Sequence, residues 1–436
     1  DFANVERRYV RTILCHERHG ELYRYSHYRL DYFANPGSLG TAGAGCPCQG
    51  RSHGRHLIPA IHSTYELPLM PEKNDIAVEV KGLSKNYGDV RALKSIDLQI
   101  GAGEYFVLLG PSGGGKTTLL RLIGGFIRPT AGEIFLHSAE VSHLPPNGRP
   151  TSMVFQSFAL FPHMNVQTNV GYGLRLRNMP KVEIRERVDA MLEMVGLTGY
   201  GERMPHELSG GQQQRVQLAR SLVLEVKILL LDEPLAALDA KLRKEMCIEL
   251  KRIQEKVGIT FIHVTHNQEE AMTVADDLAI ISGGKLLERG KARDLYENPI
   301  HRFTAEFIGE NNVFDGHVTA VDGEGHVMVD LGYTNLTVHG RDQMPGVGDK
   351  VSISVRSELV QLVDGNAMAA QGQEILSGTH RETVYLGLTT SELVRLPNGQ
   401  ELLVRQLSDG SGGNGIKVDE AVQISWRTVD GRLHVS

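Results

Sequence analysis

A glycine-rich loop between a predicted strand and a predicted helix constrains the fold of this chain more than any other feature. Residues 110–118 read Gly-Pro-Ser-Gly-Gly-Gly-Lys-Thr-Thr and fit the pattern G-x-x-x-x-G-K-[ST]. The apolar run Tyr105–Leu109 predicts a short buried strand, and Thr117–Ile123 begins a predicted helix. Because the N–H groups of such a loop converge at the positive end of the helix dipole, we expect it to bind the phosphates of a nucleoside triphosphate.

The residues of this loop have separate expected tasks. Lys116 would reach the β- and γ-phosphates, Thr117 would ligate Mg²⁺, and Thr118 would donate a hydrogen bond to a phosphate oxygen. A glycine-rich turn without a ligand is the alternative, but it gives no reason for a buried Lys-Thr pair at this spacing. All nine residues are predicted to contact the nucleotide: Gly110, Pro111, Ser112, Gly113, Gly114, Gly115, Lys116, Thr117 and Thr118.

A second motif joins an apolar run to two carboxylates in the sequence Ile228–Pro234, Ile-Leu-Leu-Leu-Asp-Glu-Pro. The run predicts a strand of a parallel sheet that is buried on both faces. Open α/β sheets bind ligands at the carboxyl ends of their strands, where Asp232 would hold Mg²⁺ through water. Glu233 would act as general base on the attacking water, which contributes roughly 10²- to 10⁴-fold in rate. Two solvated carboxylates are the alternative, and the accompanying glycine-rich loop favours hydrolysis.

Between these motifs stands the octet Leu208–Arg215, Leu-Ser-Gly-Gly-Gln-Gln-Gln-Arg. The three motifs together resemble the ATP-binding cassette (ABC) family, and the resemblance covers Ile76–Gly309 with the motifs in the family's order. The resemblance implies that Tyr87 stacks on adenine, that Gln156 senses Mg²⁺ and membrane subunits, and that Asp239 is the D-loop aspartate.

The same resemblance completes the predicted site. His266 matches the switch histidine of the family. The implied catalytic residues are Glu233, His266 and Lys116; the implied metal ligands are Thr117, Gln156 and Asp232; further nucleotide contacts are implied for Ser209, Gly210, Gly211 and Gln212.

The octet is a second expected anion-binding element, because Ser209 and the glycine N–H groups would lie at a helix N-terminus. It cannot reach the loop of its own chain if both face outward. The resemblance implies a head-to-tail homodimer in which Ser209 of one chain contacts the γ-phosphate held by Lys116 of the other. Bound ATP would then stabilise the dimer.

Two positions depart from the family pattern. Gly114 stands where many such transporters have Cys or Ser, and we expect it to loosen the loop slightly without removing a phosphate contact. Val226 replaces a common Pro before the second motif. Neither departure puts ATP hydrolysis in doubt.

The pattern of predicted elements changes along the chain. Residues 70–310 are predicted to form an α/β P-loop NTPase cassette with a helical subdomain at about 156–224. Short Val-rich segments then predict an all-β OB-type domain over 311–436, with a loop or disordered tip at Gly410–Gly415. Three segments resemble the C-terminal TOBE domain of importer ATPases: Phe307–Asn312, Val355–Glu358 and Val384–Gly387.

The first 69 residues differ from the rest, since they contain no lysine and show weak hydrophobic periodicity. We expect residues 1–69 to be a disordered or non-native extension, with the natural start at Met70. A metal cluster is the alternative here, but the candidate ligands lack the spacing of zinc fingers. Those candidates are Cys46, Cys48, His53 and His56.

Composition excludes several classes of function. No run of 18 apolar residues occurs, so no membrane-spanning helix is expected. The formal net charge of -6, without a local basic stripe, argues against a nucleic-acid partner. Only four cysteines occur, which suggests a reducing compartment.

One cassette without a membrane span must borrow its pathway from other chains, so the resemblance implies the ATP-hydrolysing subunit of a bacterial ABC importer. The implied partners are transmembrane permease subunits and, indirectly, a substrate-binding protein, and the implied location is the cytoplasmic face of the membrane. Phe158–Met164 is the expected docking groove, with ordinary subdomain core as the alternative. A DNA-repair or translation ATPase remains the different class, although tandem cassettes and long coiled-coil insertions are absent.

The transported substrate is inferred from three further resemblances. Three segments look most like the ATPases for spermidine/putrescine uptake, namely Lys241–Met246, Gly258–Ala271 and Phe307–Asn312. Sugar, sulfate and ferric-iron importers share much of this pattern, so they remain alternatives to polyamines.

Overall fold

The computed structural model describes residues 75–156, 159–340, 344–363, 368–408 and 416–435. The extension 1–69, the tip Gly410–Gly415 and residue Phe158 therefore lie outside the described residues, as do the four candidate metal ligands near the N-terminus. The strands up to residue 310 are β1 (Ile76–Tyr87), β2 (Val90–Gly101), β3 (Tyr105–Leu109), β4 (Ala131–Leu136), β5 (Ala139–Glu140), β6 (Thr151–Val154), β7 (Ile228–Asp232), β8 (Thr260–Thr265), β9 (Asp277–Ser282) and β10 (Lys285–Gly290). The helices are α1 (Lys116–Ile123), α2 (Val166–Leu176), α3 (Lys181–Met194), α4 (Gly210–Leu222), α5 (Ala240–Val257), α6 (Gln268–Val274), α7 (Ala292–Glu297) and α8 (Arg302–Phe307).

A six-stranded sheet in the order β10-β9-β3-β8-β7-β6 forms the centre of this region. Its strands are parallel except β10, which pairs antiparallel with β9 at the edge. Every residue of β3, β7 and β8 is buried, as the continuous apolar runs in β3 and β7 predict for those two strands. The predicted strand Tyr105–Leu109 is thus confirmed, and the run at Ile228 extends to Asp232.

The two faces of this sheet belong to two different cores. Tyr105, Val107 and Leu109 of β3 point into the core shared with the helices, whereas Phe106 and Leu108 point into the core under a second sheet. That second sheet is antiparallel, in the order β2-β1-β4-β5. Because side chains alternate along a strand, each central strand stabilises both layers.

Four of these helices, α2, α4, α5 and α6, begin at side-chain caps that the sequence supplies. Asn165 caps α2, and Ser209 caps α4 in a reciprocal capping box with Gln212. Asp239 caps α5 by accepting from Leu242 N–H at 3.0 Å, an interaction worth about 1 kcal/mol. Gly258 ends the same helix in the left-handed conformation, with φ of 68°. Among the described residues, no helix has the length and apolar composition needed to cross a membrane.

The part after residue 310 is all β. Its strands are β11 (Asn311–Val321), β12 (His326–Asp330), β13 (Asn335–His339), β14 (Lys350–Arg356), β15 (Gln361–Val363), β16 (Gln373–Tyr385), β17 (Thr389–Arg395), β18 (Glu401–Leu407), β19 (Ala421–Arg427) and β20 (Arg432–Val435). They form two five-stranded antiparallel sheets, β13-β12-β11-β14-β20 and β15-β19-β16-β17-β18. Phe314 and Trp426 stack in their common core, with ring centroids 5.6 Å apart. Asn312 joins the sheets by hydrogen bonds to both backbone groups of Leu403 at 2.8 Å.

A buried arginine marks the junction between the two parts of the structure. Arg356 is 6% exposed and donates to the carbonyls of Ile308 and Tyr296. Its guanidinium lies 3.9 Å from the centroid of the Tyr296 ring, a cation–π contact. Burial lowers the pKa of Arg356, but no side-chain pKa shift neutralises an arginine in a protein. The junction therefore holds a buried positive charge on carbonyl oxygens and an aromatic face.

Candidate nucleotide-binding site

Close approach to neighbouring backbone fixes the glycine-rich loop. A Cβ on Gly110 would lie 2.0 Å from the carbonyl oxygen of Ile281, so the residue has to be glycine. Gly115 has φ of 108°, and a Cβ there would lie 2.7 Å from Leu93 and 2.9 Å from the carbonyl of Ala92. The loop is therefore wedged between β9 and β2 and leads directly into α1.

Gly114 was expected to loosen the loop, and the structure shows that it packs closely against β9. Its carbonyl accepts a hydrogen bond from Gly284 N–H at 3.0 Å, and its N–H donates to Pro111 O at 3.1 Å. A Cβ on Gly114 would lie 2.8 Å from the carbonyl oxygen of Ile281. The missing side chain lets the loop sit close against β9, so glycine tightens the packing here.

Lys116 lies at the centre of the loop. Its Nζ donates to the carbonyls of Gly110 at 2.8 Å and Pro111 at 2.9 Å, and the residue is 4% exposed. Burial lowers the pKa of Lys116, while the nearby carboxylates of Glu233 and Asp232 act in the opposite direction. The sequence motif thus delivers a buried ammonium group beside two acidic residues.

Two oxygen ligands meet next to this lysine. Thr117 Oγ1 donates to Asp232 Oδ1 at 2.8 Å, which joins the start of α1 to the end of β7. Arg121 lies 3.7 Å from the other carboxylate oxygen. Burial raises the pKa of Asp232, and the Thr117 hydrogen bond opposes that shift. A hydroxyl and a carboxylate in this arrangement fit the oxygen donors that Mg²⁺ prefers.

Glu233 lies between Gln156 and His266, two polar residues that the family resemblance also assigns to the site. Its Oε1 is 3.3 Å from His266 Nδ1, and its Oε2 is 3.5 Å from Gln156 Nε2. Its backbone is left-handed, with φ of 47°, and its N–H donates to Val264 O at 3.0 Å. That conformation is strained for a non-glycine residue, and it turns the carboxylate out of the strand direction. The structure therefore brings Gln156, Glu233 and His266 together.

A buried polar network supports the loop that carries His266. Thr265 Oγ1 donates to Glu270 Oε2 at 2.7 Å and accepts from Asn267 N–H at 3.0 Å. Behind it, His263 is fully buried and hydrogen-bonded to Tyr105 OH at 3.1 Å. Burial lowers the pKa of His263 to about 3, so this histidine is neutral at pH 7. The sequence did not indicate these supporting roles, because the partners come from separate elements.

The remaining predicted residues lie elsewhere. Tyr87 is 50% exposed at the turn between β1 and β2, with Lys85 Nζ 5.0 Å from its ring centroid. Ser209 and Gln212 hydrogen-bond each other at the start of α4. Among the described residues, no hydrogen bond or ion pair joins 209–212 to 110–118. Asp239 uses its carboxylate to cap α5.

A buried asparagine holds the segment after Gln156. Asn169 is 0% exposed; its Nδ2 donates to the carbonyls of Phe161, Met164 and Asn165, and its Oδ1 accepts from Phe161 N–H at 2.8 Å. The Phe161 ring packs on Tyr172, with centroids 4.7 Å apart. The described part of the predicted groove is thus anchored to α2 while Pro162 and His163 stay exposed. No sequence pattern marked Asn169.

Elsewhere the described residues contain no group of three or more His, Cys, Asp or Glu side chains that could hold a metal ion. The oxygen atoms at the loop that fit a cation are those of the Thr117 and Asp232 pair described above.

Comparisons with known proteins identify the family of the chain. A family model described as "ABC transporter" matches residues 93–236, and one described as "TOBE domain" matches residues 353–433. The chain is 48% identical over 332 residues to the spermidine/putrescine import ATP-binding protein PotA of Roseobacter denitrificans, covering 76% of this chain and 89% of that protein. It is 44% identical over 356 residues to the protein of the same name from Rubrobacter xylanophilus, covering 81% and 93%.

Among solved structures, the chain is similar to cbiO1 from Clostridium perfringens, described as part of the ABC transporter complex cbiONQ. The identity is 32% and the TM-score 0.48, over 51% of this chain and 90% of that one.

Proposed function

Because this chain belongs to the ABC transporter family, among the spermidine/putrescine import ATP-binding proteins, we propose that it hydrolyses ATP to drive polyamine uptake through partner membrane subunits. The observation that carries the hydrolytic part is the placement of Glu233 between Gln156 and His266, next to the Thr117 and Asp232 pair. The cytoplasmic face of the cell membrane is the location that this role requires.

Each residue of the site has a task in the proposed reaction. The N–H groups of the loop and the Lys116 ammonium bind the phosphates, and Thr117, Asp232 and Gln156 hold Mg²⁺. A bound Mg²⁺ supplies positive charge that neutralises the phosphate oxygens. Glu233 accepts the proton of the attacking water, and His266 orients the Glu233 carboxylate through Nδ1. Tyr87 and Asp239 complete the nucleotide site.

The octet at the start of α4 acts on a second copy of the chain. Ser209 and the following N–H groups lie at the N-terminus of a 13-residue helix, where the helix dipole favours an anion. No described hydrogen bond ties them to their own glycine-rich loop. The proposed homodimer places them against the γ-phosphate held by the partner's loop.

The permease docks, in this proposal, on the segment that follows Gln156. In the described residues 159–164, Pro162 and His163 are exposed, and the backbone beneath them is held by hydrogen bonds to Asn169. Phe126 and Phe155 are exposed aromatic residues whose ring centroids lie 5.7 Å apart, and they extend this surface beside Gln156. Exposed aromatic residues are typical anchors of protein interfaces.

Asn169→Ala is expected to weaken coupling to the permease more than ATP binding. The change leaves the Phe161 N–H and the Met164 carbonyl without their buried partner, at a cost of about 1–3 kcal/mol each. We expect a lower thermal midpoint and loss of most of the stimulation of ATPase activity by permease subunits. Arg175→Ala, which truncates an exposed side chain on the same helix, is the matched control. Full stimulation of a destabilised Asn169→Ala protein would argue against docking at this segment.

Uptake measurements test the proposed function as a whole. Proteoliposomes would contain the full chain, the permease subunits encoded beside its gene and their binding protein. We expect ATP-dependent uptake of labelled spermidine or putrescine, with no uptake when Glu233→Gln replaces the wild type. Uptake of maltose, sulfate or ferric iron instead of polyamines would keep the importer role and change its substrate.

A DNA-repair or translation ATPase is the different class of function. The formal net charge of -6 disfavours nucleic-acid binding, and an importer subunit should bind neither duplex DNA nor ribosomes. Tight binding to DNA that weakens steeply with salt, together with ATPase activity stimulated by DNA, would contradict the importer assignment.

A further inference from the structure

A short segment between the cassette and the β domain is held from both sides by polar side chains, one half-buried and one buried. The segment is 307–309, which begins at the last residue of α8 and precedes β11. On the cassette side lies Gln268, the first residue of α6. On the β-domain side lies Arg356, the last residue of β14.

Gln268 contacts this segment with both atoms of its amide. Its Nε2 donates to the carbonyl of Phe307, and its Oε1 accepts from Gly309 N–H at 2.7 Å. Two hydrogen bonds on either side of one residue fix both the position and the rotation of the segment. A shift of 307–309 therefore has to move Gln268 or break a half-buried pair of hydrogen bonds.

Arg356 holds the residue between those two contacts. Its Nη1 donates to the carbonyl of Ile308, and a Cβ on Gly309 would lie 2.7 Å from the same nitrogen. The next residues are tied as well, since Ser357 N–H donates to Glu310 O at 3.0 Å. The segment thus moves with the β domain.

Gln268 also lies two residues after His266. Between them, the Asn267 side chain caps α6 and its N–H donates to Thr265 Oγ1. Hydrogen bonds therefore fix the turn from His266 to α6. His266 Nδ1 is 3.3 Å from Glu233 Oε1. A continuous set of contacts thus runs from Arg356 through 307–309 and Gln268 to the residue that faces the proposed general base.

We propose that Gln268 is a positioning residue through which the seating of the β domain sets the orientation of His266 and so the rate of ATP hydrolysis. This inference rests on the proposed hydrolysis at Glu233. Because Gln268 and Arg356 both hold 307–309, the β domain would affect hydrolysis without contacting the nucleotide.

Steady-state ATPase kinetics of the full chain test this. Gln268→Met keeps the side-chain length and removes both hydrogen bonds, and we expect kcat to fall roughly 3- to 30-fold with KM for ATP within about twofold. Gln268→Glu keeps the acceptor for Gly309 N–H and should recover part of the loss. Arg356→Met should lower kcat in the same way, and the double variant should show less than the product of the two single effects.

Glu269→Ala is the matched control, because Glu269 lies on α6 next to Gln268 and its exposed side chain does not contact 307–309. It should leave kcat and KM at wild-type values. Hydrogen exchange gives the independent readout: the Gly309 amide should exchange faster in Gln268→Met and not in Glu269→Ala.

The outcomes separate this inference from the proposed function. A wild-type chain that hydrolyses no ATP would refute the proposed function. An active wild type with unchanged kcat in Gln268→Met, despite faster exchange at Gly309, would overturn the inference alone. Strictly multiplicative effects of Gln268→Met and Arg356→Met would also overturn it. If Gln268→Met does not fold, Gln268→Glu and Arg356→Met decide together, since wild-type kcat in both would show that neither side of the segment is coupled to hydrolysis.

Discussion

Glu233→Gln is expected to lower the rate of ATP hydrolysis by roughly 10²-fold or more while the affinity for ATP stays near that of the wild type. Glutamine keeps the size of the side chain and can still hydrogen-bond to Gln156 and His266, but it cannot accept the proton of the attacking water. Phosphate release and equilibrium ATP binding would be measured on the same preparation. We expect phosphate release to fall while equilibrium ATP binding is retained.

The same variant reports on the proposed dimer. Because ATP would stay unhydrolysed between the two copies, Glu233→Gln should elute as a dimer in size-exclusion chromatography with ATP and Mg²⁺. Adding Ser209→Arg should return it to the monomer, since the bulky side chain occupies the place of the partner's γ-phosphate. Near-wild-type turnover in Glu233→Gln would show that another group activates the water. A variant that stays monomeric at saturating ATP would contradict the head-to-tail arrangement.

Lys116→Ala is expected to abolish detectable hydrolysis through loss of nucleotide binding. The buried Nζ lies at the centre of the loop, 2.8 Å and 2.9 Å from two loop carbonyls, where it is the charge nearest to the expected phosphates. Removing it takes away the cation nearest to the loop and leaves only Arg121 beside Asp232, so the site would attract an anion less strongly. Fluorescent ATP-analogue titration should show an affinity loss of at least about tenfold, a change of about 1.4 kcal/mol.

Lys94→Ala is the matched control for this variant, because that lysine is exposed on β2 and lies outside the loop. It should bind and hydrolyse ATP like the wild type. Wild-type affinity in Lys116→Ala would place the phosphates elsewhere and would contradict the assignment of the loop.

The sequence could predict the parts of the site that depend on local motifs. The strand Tyr105–Leu109, the loop after it and the strand before Asp232 follow from contiguous residues whose spacing has one physical explanation. The ABC fold with a TOBE domain is confirmed by the family models. The domain boundaries and the roles of individual site residues stay predictions.

Contacts between distant parts of the chain could not be predicted in this way. The effect of Gly114 depends on the carbonyl of Ile281, which only the folded sheet brings close. Asn169 and Gln268 bind backbone atoms, and a backbone carbonyl carries no residue-specific signal that a pattern could detect. The start of β11 could not be predicted either, because Asn311 and Asn312 are polar and become part of a strand by pairing with β14.

The buried Arg356 has a consequence for how the protein responds to salt. Ion pairs on the surface, such as Arg302 with Asp315, are screened by dissolved ions and contribute little. Arg356 instead rests on two carbonyl oxygens and the Tyr296 ring inside the junction, where counterions do not reach. Changes in ionic strength should therefore have little effect on the contacts of Arg356 that attach the β domain to the cassette. Cells that change their internal salt concentration would alter the surface charge of this protein while the junction keeps its geometry.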